Sequence, residues 1–172
     1  MGLMVKMRTQ GLEPDIISFN AAMGAFEKGA QWELALCMLV EMQEDRLEPD
    51  VISYSIVLSA CSKGKQWMRA LKMLADFQEQ GVETDMICCS AAMSACEKGE
   101  QWQKTLALLM EIQEQGLEAD AVSHSMVITA CEKARQWERA LAMLSEKQEQ
   151  GLLPDLVSFN AAISACEKGE QW

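Results

Sequence analysis

Five tryptophans, Trp32, Trp67, Trp102, Trp137 and Trp172, stand 35 residues apart in a chain of 172. Gln31, Gln66, Gln101, Gln136 and Gln171 precede them. Asp15, Asp50, Asp85, Asp120 and Asp155 keep the same interval, as do Lys28, Lys63, Lys98, Lys133 and Lys168. So regular a period means one supersecondary unit copied along the chain. A unit of this length cannot bury its apolar face alone, so neighbours must stack and share one. Ala, Leu, Met, Glu, Gln and Lys dominate, aromatic residues make up only 6 %, and there are only three prolines. These favour helix. The expected fold is all-α, a right-handed α-solenoid of stacked helix-turn-helix hairpins occupying residues 1–172.

Each unit divides into two helices. Asp15 stands where an N-cap belongs, and Pro14 discourages helix before it. Ile16 to Lys28 reads as the first helix, with Gly29 as the left-handed residue that ends it. A second helix runs from about Gln31 to Glu44, with Trp32, Ala35, Leu36 and Leu39 at helical spacing. Gly81, Gly116 and Gly151 follow later copies of this helix, and Arg46 replaces that glycine once. The Trp column is expected to fill the seam between helices as fully buried core, where truncation to Ala costs about 3–5 kcal/mol. The sequence stops before the second helix of its last copy, so fraying is expected after about residue 160. It reads as a segment of a longer array.

The seven cysteines are an odd number, and Cys61, Cys96, Cys131 and Cys166 recur at one position. One repeat should separate them by about 8–10 Å, too far for a disulfide. With no C-x-x-C pair and a single histidine, His124, a zinc site is not expected, and these thiols read as small apolar core residues. No apolar run is long enough to span a membrane, and no targeting peptide is legible. No cofactor is expected.

A 34-residue tetratricopeptide unit would place its Trp in the first helix; here the period is 35 and the Trp belongs to the second. Gly11, Leu12, Glu13, Pro14 and Asp15 form a junction followed by Ile16, Ile17, Ser18, Phe19 and Asn20. Pro49 to Ser55 and Pro154 to Asn160 repeat it, while Thr84 and Ala119 depart from the junction proline. With Ala35, Leu36 and Met42 in the second helix, this pattern resembles the pentatricopeptide repeat family over essentially the whole chain. In that family's register the full repeats are 16–50, 51–85, 86–120 and 121–155, flanked by partial repeats 1–15 and 156–172.

The resemblance implies single-stranded RNA binding, one base per repeat, on the surface formed by the first helices. It implies that the second residue of each unit sandwiches a base: Ile17, Ile52, Ile87, Val122 and Val157. The fifth reads the base edge: Asn20, Ser55, Ser90, Ser125 and Asn160. The closing residue assists: Asp50, Asp85, Asp120 and Asp155. The second and fifth residues lie i, i+3 on a helix and so share a face. Asn20 with Asp50 resembles a uracil-preferring pair, and the three Ser–Asp pairs resemble guanine-preferring ones. The implied core target is 5′-UGGG-3′. The resemblance also sets Lys28, Lys63, Lys98, Lys133 and Lys168 near the RNA backbone, and implies a mitochondrial or chloroplast setting in RNA processing, stability, editing or translation. Plainer readings stand beside these. The aspartates are helix N-caps, the aliphatic column fits core, and the lysines complement helix dipoles.

The net charge of −11 runs against a nucleic-acid partner. The first fourteen residues of each unit, however, hold four acidic and five basic residues, net +1, so the remainder carries −12. The acidity sits in second helices and loops, at Glu33, Glu41, Glu44, Glu79 and Glu114. No catalytic motif is present, so no enzymatic activity is expected. His124 stands where Phe19, Tyr54 and Phe159 stand and reads as a packed ring. A protein-interaction scaffold using the same concave surface is the alternative function.

Overall fold

The computed structural model describes residues 2–79, 85–117 and 119–169. Gly81, Thr84, Gln171 and Trp172 lie outside them. Helix α1 (Gly2–Thr9) is followed by α2 (Ile16–Lys28), α3 (Trp32–Glu44), α4 (Val51–Lys63), α5 (Trp67–Glu79), α6 (Met86–Lys98), α7 (Trp102–Glu114), α8 (Ala121–Lys133), α9 (Trp137–Glu149) and α10 (Leu156–Lys168). No strand occurs among the described residues. The helix boundaries expected from the repeat are reproduced at α2, and Gln31 caps α3 rather than opening it. Helix α10 continues to Lys168, with Ala162 and Ala165 buried, across most of the stretch where fraying was expected after residue 160; residues 170–172 lie outside the described residues.

The first helices pack consecutively, α2 on α4, α4 on α6, α6 on α8 and α8 on α10. Each second helix is wedged between its own first helix and the next, as α3 lies against both α2 and α4. The core runs through that wedge: Phe19, Met23, Met38, Met42, Leu58, Phe77, Met93, Leu109, Ile112 and Ile128 are all buried. Ion pairs also join successive hairpins. Arg8 of α1 reaches Glu41 of α3 at 2.9 Å and Asp45, which caps the end of α3, at 2.6 Å.

The first helices begin on the aspartate column. Asp15, Asp50, Asp85, Asp120 and Asp155 each accept the amide hydrogen of the residue three positions on, at 2.7 to 2.9 Å. Such caps contribute about 0.5–2 kcal/mol each where the aspartate is partly buried.

The helix ends correct the glycine expectation. Gly29 has φ −81, and the left-handed residue is the next one, Ala30, with φ 53. Lys65, Glu100 and Arg135 repeat this at φ 56, 59 and 57. The Ala30 amide donates to Glu27 O and the Gln31 amide to Phe26 O, the paired bonds of a Schellman end. Non-glycine residues therefore hold the strained conformation, at about 1 kcal/mol each. At three repeats the residue that caps the end of the first helix is a glycine in close contact with an indole, while Ala134 fills the same position in a fourth. A Cβ at Gly99 would stand 2.5 Å from Cδ1 of Trp67, and Gly64 and Gly169 meet Trp32 and Trp137 just as closely.

The Trp column is thereby relocated. Trp32, Trp67, Trp102 and Trp137 are half-buried rather than core, and Trp32, Trp67 and Trp137 pack across the junction onto the glycine that ends the next hairpin's first helix. Arg69 covers Trp32 at 4.7 Å and Arg139 covers Trp102 at 5.4 Å, adding cation–π attraction. After the second helices, Gly11, Gly116 and Gly151 do take positive φ, from 73 to 74, and Arg46 adopts the same conformation at φ 60.

Candidate nucleic-acid interface

The aliphatic column is not core. Ile17, Ile52, Ile87, Val122 and Val157 are between 58 and 76 % exposed, each in the first turn of its first helix. Because those helices pack side by side, the five side chains recur along one ribbon. Isolated exposed apolar residues need no explanation, but a periodic row of them does.

One helical turn on, the edge residues differ from hairpin to hairpin. Asn20 Nδ2 donates to Asp50 Oδ1 at 3.3 Å, and the Ser53 hydroxyl donates to Asn20 Oδ1 at 2.7 Å. Ser55 instead turns its hydroxyl onto Ile52 O at 2.9 Å and makes no hydrogen bond to Asp85. Ser90 and Asp120 are likewise not hydrogen-bonded to each other. Ser125 approaches Asp155 Oδ2 at 3.3 Å. Asn160 is exposed. The structure thus joins two of the four expected pairs directly.

Asp50 shows how these carboxylates are tuned. Burial opposes its ionisation, but bonds from the Ser53 amide and hydroxyl and from Asn20 outweigh it and hold its carboxyl below the usual range. Asp155 is also held low, first by the Ser158 hydroxyl and amide, with Lys147 and Ser125 assisting against partial burial.

Lys147 was not singled out from the sequence. It occupies the second-helix position that Met42, Phe77 and Ile112 fill elsewhere, and it is fully buried. Its Nζ donates to Ser125 Oγ at 2.9 Å and to Ser158 Oγ at 2.8 Å, and stands 3.8 Å from Asp155 Oδ1. Ser125 also donates to Ala121 O at 2.7 Å and meets Ser158 Oγ at 2.9 Å. Above this network lies a groove of about 350 Å³ flanked by Val122 and Val157, with Ser125, Met126, Thr129 and Asp155 between them.

The lysine column lies at the seams between first helices. Lys63 pairs with Glu27 at 2.6 Å, Lys133 with Glu97 at 2.5 Å, and Lys168 with Glu132. Lys98 meets a serine, Ser62 Oγ, at 3.0 Å, because Ser62 stands in the glutamate column. The Lys63 hydrogen bond holds the Glu27 carboxyl below its usual range against partial burial, helped by Ser59. Four of the five lysines therefore staple consecutive hairpins, and the paired ones remain partly exposed.

Three of the four repeated thiols behave as the sequence indicated, and Cys166 is only partly buried. Cys61, Cys96 and Cys131 are buried and free, and burial pushes each up to about 11. His124 is buried, its Nδ1 3.2 Å from Asp120 O and its Nε2 without a hydrogen-bond partner among the described residues. Among the described residues no cluster of His, Cys, Asp and Glu could hold a metal, and no helix is long and apolar enough to cross a membrane.

Residues 14–63 match the PPR repeat family, residues 52–82 the PPR repeat and residues 107–168 the pentatricopeptide repeat domain. The chain belongs to the pentatricopeptide repeat family. No match was found among curated protein sequences. The crystal structure of the pentatricopeptide repeat protein PPR10 from maize is similar over 96 % of this chain, with TM-score 0.78 and 25 % identity. PPR10 in complex with an 18-nt psaJ RNA element gives TM-score 0.80 at 22 % identity over 93 % of this chain. The pentatricopeptide domain of Arabidopsis thaliana protein-only RNase P 1, solved with tRNA, gives 0.74 at 10 % identity, covering 86 % of this chain and 78 % of that one. This chain spans only 24 % and 23 % of the two PPR10 chains. The pentatricopeptide assignment accounts for the wedge of helices and the capped junctions. The third residues, Ser53 and Ser158, join the edge pairs in this chain and were missed, although their 35-residue spacing with Ser18 and Ser123 was available.

Proposed function

We propose that this chain binds single-stranded RNA along the ribbon of first helices, taking one base per repeat and acting as an adaptor without catalysis. The observation that carries this is the exposed aliphatic row, Ile17 to Val157, interleaved with small polar edge residues. Each base would lie between consecutive aliphatic side chains, and the groove between Val122 and Val157 has that form. The fifth residue and the closing aspartate would then address its Watson–Crick edge. Repeats 16–50, 51–85, 86–120 and 121–155 set the register, and the pairs Asn20–Asp50, Ser55–Asp85, Ser90–Asp120 and Ser125–Asp155 give 5′-UGGG-3′. The partly exposed lysines at the seams supply phosphate contacts in competition with their glutamates, so affinity should fall with salt. That PPR10 was solved with an RNA element supports the reading, as does the near-neutral charge of the first-helix blocks. A mitochondrial or plastid setting in RNA processing, stability, editing or translation goes with the family.

The exposed aliphatic row favours one other reading, a scaffold that takes a peptide on the same surface. Gel shifts of UGGG-containing RNA against single-base variants separate the two. Ser55→Asn should move the second preference from G towards U. Equal affinity for every RNA, with specific binding of a protein partner instead, would reject RNA reading.

A further inference from the structure

We infer that Lys147 withdraws the fourth repeat from base discrimination, so that the fourth G implied by the Ser125–Asp155 pair is not read and the groove holds a nucleotide without choosing among bases. The inference rests on the RNA reading proposed above. A serine hydroxyl offers one donor and two acceptor sites. Ser90 spends none of these among the described residues. Ser55 spends its donor on Ile52 O and keeps both acceptors. Ser125 has four partners within reach: Ala121 O, Asp155 Oδ2, Ser158 Oγ and Lys147 Nζ. Its one proton has three acceptors within reach, Lys147 takes one of its two acceptor sites, and it is only 7 % exposed. Asp155 is engaged as well, by the Ser158 amide and hydroxyl at 2.7 Å each and by Lys147 at 3.8 Å. A base entering between Val122 and Val157 would find the apolar walls intact and the polar floor occupied. At the matching position the first three repeats carry Met42, Phe77 and Ile112, which cannot donate to the edge residue.

The difference is readable by titrating the full chain against RNAs varied at one base at a time in UGGG, followed by fluorescence anisotropy. The second and third bases should discriminate for G by about tenfold, the value of a single well-made base contact. The fourth should discriminate by less than about twofold. Lys147→Met restores the side-chain type found in the first repeat, and should raise fourth-base discrimination to about tenfold while leaving the second and third unchanged. Ser125→Ala should leave the fourth-base profile of the natural protein unaltered, whereas Ser90→Ala should abolish the third-base preference. The inference is overturned if the fourth base is discriminated as well as the third, or if folded Lys147→Met leaves it indifferent. Should Lys147→Met fail to fold, a change of fourth-base profile in Ser125→Ala overturns the inference by itself. Flat profiles at all four bases would remove the RNA reading and this inference with it; discrimination at the second and third alone would keep both.

Discussion

The first and fourth hairpins carry the same constellation on different floors. In the first, Asn20, Ser53 and Asp50 hydrogen-bond to one another above Met42, whose sulfur meets the Ser53 hydroxyl at 3.8 Å. In the fourth, Ser125, Ser158 and Asp155 sit above Lys147, which donates into the set from below. An apolar floor lets the polar residues satisfy one another and keep capacity towards the groove. A donor from the core ties them to the fold. The comparison teaches that a two-residue pair is insufficient to describe such a site, because the helix behind it sets how much of the pair is available.

The contrast can be broken by removing each closing aspartate. Asp155→Ala deletes an N-cap and also leaves Lys147 buried without its anion. The cost should be about 2–3 kcal/mol in urea unfolding, below the usual range for a broken buried pair because Asp155 is half exposed. Asp50→Ala deletes only a cap and its Asn20 contact, and should cost about 1 kcal/mol. Equal losses would erase the distinction. Lys147→Met should then stabilise the chain or leave it unchanged, by up to about 1 kcal/mol, since an apolar replacement avoids desolvating a charge; a clear loss of stability in the same assay would show that the lysine network holds the hairpins together. The smallest effect is in acid. Both aspartates are held below the usual carboxylate range. Each therefore contributes stability that is complete above about pH 4 and lost as pH falls through the depressed value. Lys147→Met removes one cause of the depression at Asp155, so its urea midpoint should drop less between pH 7 and pH 3 than that of the natural protein. An unchanged drop would mean that Ser158 alone sets Asp155.

Much of the fold was legible. The limits of α2, Ile16–Lys28, followed from an aspartate cap at one end and Gly29 at the other, although Gly29 is not the left-handed residue. The edge residues and the aliphatic row followed from the resemblance of Pro49 to Ser55 and its copies to one family. Other features depended on neighbours that periodicity does not identify. Gly64, Gly99 and Gly169 sit at a helix end, where a left-handed role is the ordinary expectation; the indole of the preceding hairpin gives them a contact role instead. The lysines sit in a last helical turn, and only the glutamate 36 residues earlier turns them into staples. Lys147 broke an apolar column in plain sight, yet nothing local distinguishes an inward lysine from one that reaches solvent.

By itself the sequence determined the period, the two-helix unit, the cap that starts each first helix and the equivalence of residues 35 apart. Those properties arise from local propensity and hydrogen bonding within a few residues. The tertiary structure decided which equivalent positions face outward, so that Ile52 is exposed while Tyr54 two residues later is buried. It also decided that Trp32 belongs to the next hairpin's junction and that Lys147 points beneath Ser125. Each of these depends on the angle and offset at which one hairpin is laid on another. That geometry is set by side chains meeting across more than thirty residues of chain.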